Sequence, residues 1–281
     1  MGSLPTHRCN AAKPFSHCGL DYGGPYQIRS AKGRGHHSYK GYVALFFGHI
    51  QRLCYNVADA ELKADLASFR QQLEAAARYV PTWGVTWHFI PPGSPNFGGI
   101  WEAGIKSIKH HLKRIIGSAK LTFEEFYTLL KQVEAVLNSR PISALTEDAT
   151  DLAALTPGHF LVGGPLVATP EPSLLDVNPN RLKRWKQLQQ MQQHFWARWS
   201  CEYLRELQVR RKWHQTSTNL SPGDLVLIRD ERALPTQWTL GRIIDVHPGT
   251  DDVVRVATIR TPTSIIKRAI SKLVLLPMED T

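Results

Sequence analysis

The chain has 281 residues, 42% hydrophobic and 21% charged, and a formal net charge of +10. That balance excludes a disordered chain, leaves room for two modest domains, and favours a polyanionic partner, nucleic acid being the commonest. No apolar run approaches the ~20 residues of a membrane span and no signal-peptide core opens the sequence, so neither a membrane partner nor secretion is expected.

Residues 1–16 are polar and read as a loose arm. The four cysteines, Cys9, Cys18, Cys54 and Cys201, are irregularly spaced, which argues against disulfides in an intracellular protein. With His7 and His17, the first two fit no established zinc-ligand spacing. His17 to Arg29 reads as a strand bent at Gly23-Gly24-Pro25, and Asp21 interrupts its apolar pattern. A lone Asp there is ordinarily a turn or edge residue. Lys32-Gly33-Arg34-Gly35 reads as a hairpin connection to a return strand, Tyr39 to Phe47, dense enough in apolar residues to need cover on both faces. GHIQRLCYN has no clear period. Ala58 to Tyr79 reads as a helix with Leu62, Leu66, Phe69 and Leu73 on one stripe, and Val85 to Ile90 as a short buried strand.

Pro91, Pro92 and Pro95 then forbid regular structure, Gly98-Gly99 makes a permissive corner, and a helical pattern takes over from Ile100. Trp101, Ile105, Ile108, Leu112 and Ile115 recur as a buried stripe. Beside them runs a second stripe of Glu102, Lys106, Lys109 and Lys113. Glu at i with Lys at i+4 is ordinarily a solvated surface pair, worth a few tenths of a kcal/mol at about 0.2–0.5. A solvated face needs no rigid Pro-rich loop or Gly-Gly corner before it. A carboxylate holding a metal beside a phosphate, with ammonium groups for the rest of a nucleic acid, makes use of both.

Thr122 caps the next helix with Glu125 in the capping-box position, and Phe126, Leu129, Leu130, Val133 and Leu137 form its buried face. Asn138 and Arg140-Pro141 end it. The Gly- and Pro-rich stretch from Leu155 to Pro172 closes a first domain. Arg181 to His214 reads as one long helix in which basic residues far outnumber acidic ones and interleave with Trp185, Phe195, Trp196, Trp199 and Tyr203. It serves equally as a connector packing its aromatics or as a face for nucleic acid. The tail, from Leu220-Ser221-Pro222-Gly223-Asp224 onward, shows short strands at regular intervals, the pattern of a small β-barrel.

Taken together, PFSHCGLDYGGPY, WHFIPPGSPNFGGIWEAGIKSIKHHLKRIIG, LTFEEFYTLLKQVEAVLNSRPI and ALTPGHFLVGGPL resemble the catalytic core of BEL/Pao-type retrotransposon integrases, within the retroviral integrase superfamily. SPGDLVLIRD and ISKLVLLP resemble the C-terminal domain of the same elements. The resemblance implies an α/β fold, a ribonuclease-H-like core followed by a long helix and a small SH3-like β-barrel. It implies DNA as partner, both element ends and target, with a homo-oligomer and a nuclear setting. It also implies a carboxylate triad holding Mg²⁺ or Mn²⁺ for DNA strand transfer. Asp21 matches the first acid of that triad and Glu102 the third, so both are candidate catalytic and metal-binding residues. Lys106, Lys109, Lys113 and Arg114 are the candidate nucleic-acid contacts.

One part of the pattern is missing. The family's second acid lies in a run resembling Ser-Asp-Asn-Gly-Thr-Asn-Phe, and between Phe47 and Asp59 this chain has only GHIQRLCYNVA. Asp59 corresponds to a position downstream of the site and is a poor substitute. Two carboxylates make a weak site for a hard cation, which needs clustered oxygens. The chain is therefore expected to be a decayed or mis-spliced copy, catalytically impaired, and a non-catalytic DNA- or chromatin-binding module is the alternative. An interaction protein using the aromatic helix is a third reading. The expected organisation is an arm at 1–16, a core at 17–172 with an internal deletion near 48–56, a basic aromatic connector at 173–215, and a small barrel at 216–281. The zinc domain that precedes the core in the superfamily has no counterpart here, so the chain is also expected to be a polyprotein fragment or a remnant of one.

Overall fold

The computed structural model describes residues 16–31, 33, 35–48, 52–58, 99–146, 148, 150–208, 219–230 and 232–277. Ala58, where a helix is expected to begin, is described and ends a strand, while the rest of that helix to Tyr79, the Val85 strand, the Pro-rich loop, Asp59 and most of the arm lie outside the described residues. The fold is a mixture of α and β with several sheets. Contacts divide the chain into two compact units, Met1–Lys131 and Gln132–Thr281.

In the first unit β1 (Cys18–Arg29) and β2 (Ser38–Gly48) pair antiparallel, with Asp21 opposite Leu45 and Gly23 opposite Val43. The expected bend appears as a register shift between Gly23 and Tyr26, at a cis Gly24–Pro25 peptide. Proline has no N–H for a ladder, so strand prolines sit at such irregularities. Val43, Ala44 and Leu45 are all buried. Successive strand residues point to opposite faces, so both faces of β2 are covered as its composition requires. The stretch without a clear period departs from the sequence reading: Arg52–Ala58 forms β3, antiparallel to β2. A neighbouring strand with free backbone groups can recruit a segment that shows no alternation of its own. On its other side β1 meets β4 (Leu121–Thr122), parallel, and only at Ile28 and Arg29. Among the described residues, Cys18–Gln27 has a strand neighbour on one side only.

Helix α1 (Gly99–Ile116) packs on β1 and β2. Of its expected stripe, Ile105, Ile108 and Leu112 are buried and Ile115 is half-buried, and the side chain of Trp101 lies outside what is described. Glu102 in its first turn and Lys113 and Arg114 in its last suit the helix dipole. Helix α2 (Phe123–Asn138) opens with the capping box read from the sequence. Glu125 Oε2 accepts from the Thr122 N–H at 2.9 Å, and Thr122 Oγ1 accepts from the Glu125 N–H at 3.4 Å. Phe126, Leu129, Leu130, Val133 and Leu137 are all but inaccessible. Each stabilises the fold by roughly 1.5–3 kcal/mol relative to exposure.

The second unit contains a two-stranded ladder, β5 (Ser143–Ala144) with β6 (Ala154–Leu155), the short helix α3 (Pro157–Val162) and the long helix α4 (Arg184–Leu207). Five antiparallel strands follow: β7 (Leu225–Ile228), β8 (Leu240–Pro248), β9 (Val254–Arg260), β10 (Ile265–Ala269) and β11 (Leu273–Leu275). Their order is β10-β9-β8-β7-β11. Every residue of β7 is buried. Leu225 and Leu227 cluster with Leu204 and Val274, while Val226 and Ile228 cluster with Ile243, Ala257 and Ile259, so the central strand is dry on both sides. The described pairings leave β10 and β11 as edges, a five-stranded sheet where a barrel is expected.

Residues 139–172 bond within the second unit: Trp238 Nε1–H donates to Ser139 Oγ at 3.1 Å, and Ala168 N–H to Thr236 Oγ1 at 2.8 Å. Buried Arg242 donates to the carbonyls of Asp148, Asp151 and Gly223, each at 2.8 Å. The helix expected over 181–214 ends at Leu207, because Gln208 turns extended and its side chain donates to the Ser271 and Leu273 carbonyls. No helix among the described residues is long and apolar enough to cross a membrane.

Candidate nucleic-acid interface

The first unit brings a strand and a helix together through one glycine. A Cβ on Gly23 would lie 2.9 Å from Ile105 Cδ1 and 3.2 Å from Lys109 Cγ, so α1 rests closely on β1 here and a larger residue would make those side chains shift. The contact also gives direction. Five residues after α1 ends at Ile116, Leu121 pairs with Ile28 near the end of β1, so α1 and β1 run the same way.

Asp21 is two residues before Gly23 in an unshifted stretch of ladder, hence on the face that meets α1. Glu102 is three residues before Ile105. The strand step is about 7 Å and the helix step about 4.5 Å, so the two carboxylates come to the same end of this layer. Asp21 is half-buried beside fully buried Leu45, and its Oδ1 accepts from the Tyr22 N–H at 2.7 Å. Glu102 is exposed. No group of three His, Cys, Asp or Glu that could hold a metal occurs among the described residues.

Lys106, Lys109 and Lys113 are exposed along α1, on the stripe that Glu102 begins. The surface pair that a solvated helix would form is not made: among the described residues no ion pair engages Glu102 or these lysines. The three lysines instead border a cavity of about 750 Å³ with His110, Lys120 and a wall that includes Tyr26 and Phe126. Arg114 is exposed but does not line it. Sequence reasoning missed His110, Lys120 and the aromatic wall. His110 follows Lys106 by one turn, a signal that the helical period carries. Nothing local announces that Tyr26 and Phe126 meet at 5.2 Å between ring centres.

Helix α4, the other basic and aromatic element, is engaged differently. Phe195, Trp196 and Trp199 are buried, and Trp196, Trp199 and Tyr203 pack edge-on around Trp238 at 4.7, 6.1 and 5.6 Å. Trp196 Nε1–H donates to the Ala233 carbonyl at 2.8 Å. Its polar face carries Gln187, Gln190 and Gln193, three residues apart. The Gln193 amide pairs with the segment before the helix, accepting from Leu174 N–H at 2.7 Å and donating to the Pro172 carbonyl at 3.0 Å. Gln190 donates to the Leu174 and Val177 carbonyls, and Gln187 to those of Pro179 and Leu182. Lys186 adds an ion pair to Glu171 at 3.2 Å. The spacing of the glutamines was visible in the sequence, but their partners were not. Nearby, desolvation and then Arg198 hold the His194 imidazole below its ordinary pKa, with Asp176 opposing.

A comparison with protein families places residues 183–276 beside DUF5641, a family of unknown function. That stretch spans α4 and the five-stranded sheet. No curated protein matches the chain.

Proposed function

We propose that this chain is an integrase-like protein of the BEL/Pao type that binds DNA through the basic face of α1, and that its strand-transfer chemistry is impaired. In this reading the first unit is a shortened ribonuclease-H-like core and the five-stranded sheet an SH3-like barrel. The support for it is the packing of α1 on β1 at Gly23, which turns Asp21 and the first turn of α1 toward one end of that layer, with a row of lysines leading away that forms no ion pair among the described residues. A row of ammonium groups with no carboxylate partners attracts phosphates by releasing their counterions.

The donor set falls short of the metal chemistry the family implies. Two-metal transfer at phosphorus clamps both the attacking and the leaving oxygen and needs carboxylates shared between the ions. Here Asp21 and Glu102 have no third acid from the expected run, and one Asp21 oxygen already accepts a main-chain N–H. The strand that would carry the missing acid belongs beside β1, where Cys18–Gln27 has no second described neighbour. Mg²⁺ or Mn²⁺ would be held by Asp21 and Glu102 with water and substrate phosphate completing the shell.

Binding and joining are measured separately. Fluorescence anisotropy with duplex DNA across a salt series is expected to give tight binding at low salt that falls steeply as salt rises. Absence of binding at low salt overturns the reading. Strand-transfer assays with element-end DNA and either metal are expected to give no joining above background. Efficient joining that Glu102→Gln abolishes would show that the site is complete.

A further inference from the structure

We infer that β10 is a docking edge for an extended acidic segment of a partner protein, which adds to the five-stranded sheet as a further strand. The inference does not rest on DNA binding by the first unit.

On one side β10 pairs with β9, and on the other it has no strand among the described residues. The phase of that pairing sets what the open side offers. Thr261 N–H donates to the Ser264 carbonyl at 2.8 Å, and this pair continues the register that sets Ile265 opposite Arg260. Bonded and non-bonded pairs alternate along an antiparallel ladder, so Ile266 and Arg268 give their main-chain groups to β9. The N–H groups of Ile265, Lys267 and Ala269 and the carbonyls of Ile265 and Lys267 therefore face outward. One of them, the Lys267 carbonyl, accepts from the exposed Arg268 guanidinium at 3.1 Å, a contact that a new strand can replace. Ile266 packs on the core of Val226, Ile243 and Ile259, so Ile265 and Lys267 stand on the opposite face, and Ile265 is 63% exposed.

Charge selects the occupant. No acidic residue occurs from Val253 to Pro277, and Lys267, Arg268 and Lys272 form no ion pair among the described residues. Asp245 shares a row with Lys267 but lies two strands away, beyond Thr258. A second copy fits poorly: in the register that uses the whole strand, Lys267 would face its own counterpart, and like charges directly opposite are destabilising. Nucleic acid would meet the cations but leave the main-chain groups and Ile265 unused. In strand addition, main-chain hydrogen bonds supply affinity and alternate side chains supply specificity. Antiparallel to β10, the partner carries an acid opposite Lys267 and, two residues later, an apolar side chain opposite Ile265.

The test uses the full chain and a fluorescent eight-residue peptide whose central residues run Glu-Thr-Val. N-methylation of the Glu and Val amides removes two donors that face β10 and is expected to weaken binding about tenfold, the worth of two ordinary hydrogen bonds. N-methylation of the Thr amide, which faces away, should leave affinity nearly unchanged. The bound peptide should slow amide exchange at Ile265, Lys267 and Ala269. Lys267→Glu should weaken binding severalfold, and a version with Lys in place of the peptide's Glu should bind far less. Equal binding of the two methylated peptides reduces the contact to charge attraction and overturns strand addition. No binding of the unmodified peptide at low salt overturns it too, and equal binding of the Lys version overturns the acidic partner. The peptide comparisons are made on the unaltered protein, so they hold even if Lys267→Glu fails to fold.

Discussion

Helices α1 and α4 are both basic amphipathic helices, and they use their polar faces in opposite ways. On α1 the apolar stripe is buried and the charged stripe has no ion-pair partner among the described residues. On α4 the aromatics fill a core around Trp238, and the glutamines between the cations bond the chain's own Pro172–Leu182 segment. Charge and aromatic content therefore do not mark an interface by themselves. What marks it is polar capacity that the fold leaves unspent.

The largest effect expected from that contrast is on stability. Trp199→Ala removes a buried ring from the α4 core and should lower unfolding stability by about 3–5 kcal/mol. Alanine at Lys106, Lys109 or Lys113 should stay within about ±0.5 kcal/mol, as for surface changes generally. Urea denaturation of the variants checks both, and a similar cost at the two helices would erase the distinction.

Gln193→Ala sharpens it. The Leu174 N–H and the Pro172 carbonyl would lose their partner, and since water can reach this segment the cost should be that of an ordinary hydrogen bond, about 0.5–1.5 kcal/mol. Amide exchange at Leu174 should accelerate. An unchanged rate would mean that the glutamine row does not hold the segment.

On α1 the readout is affinity rather than stability. Each lysine replaced by alanine should lower the slope of log affinity against log salt by about one. The same substitution at Lys186 of α4, already paired with Glu171, should change it less. Anisotropy titrations over a salt series give both slopes, and equal slopes would return α4 to the interface.

The smallest effect separates the units by pH. Hydrogen bonds from the Thr150 N–H and hydroxyl hold the Asp148 carboxyl below its usual range, and those from the Thr146 hydroxyl and the Ala153 N–H do so for Asp151. Depressed folded values mean that this contribution is complete above the unfolded pKa of about 3.9 and is lost as pH falls through the lower folded values. NMR shifts of the Thr150 and Ala153 amides should move in that acid window. Movement only near neutral pH would rule these carboxylates out as the cause.

Much of this was legible without coordinates because it is local. The α1 stripes follow from a period of 3.6, the Thr122–Glu125 box from a spacing of three, and the β1–β2 hairpin from a glycine-rich connection between two apolar runs. The acid at 21 and the acid at 102 could be singled out in the same way, but the close packing of α1 on β1 at Gly23 could not. Tertiary structure alone made GHIQRLCYN contribute a strand, gave residues 139–172 to the second unit, and set the α1 lysines beside Tyr26 and Phe126 around an open hollow. The reason is common to all three. Backbone groups and apolar surface must be satisfied somewhere, and when the partner is distant in sequence no local pattern records which one it will be.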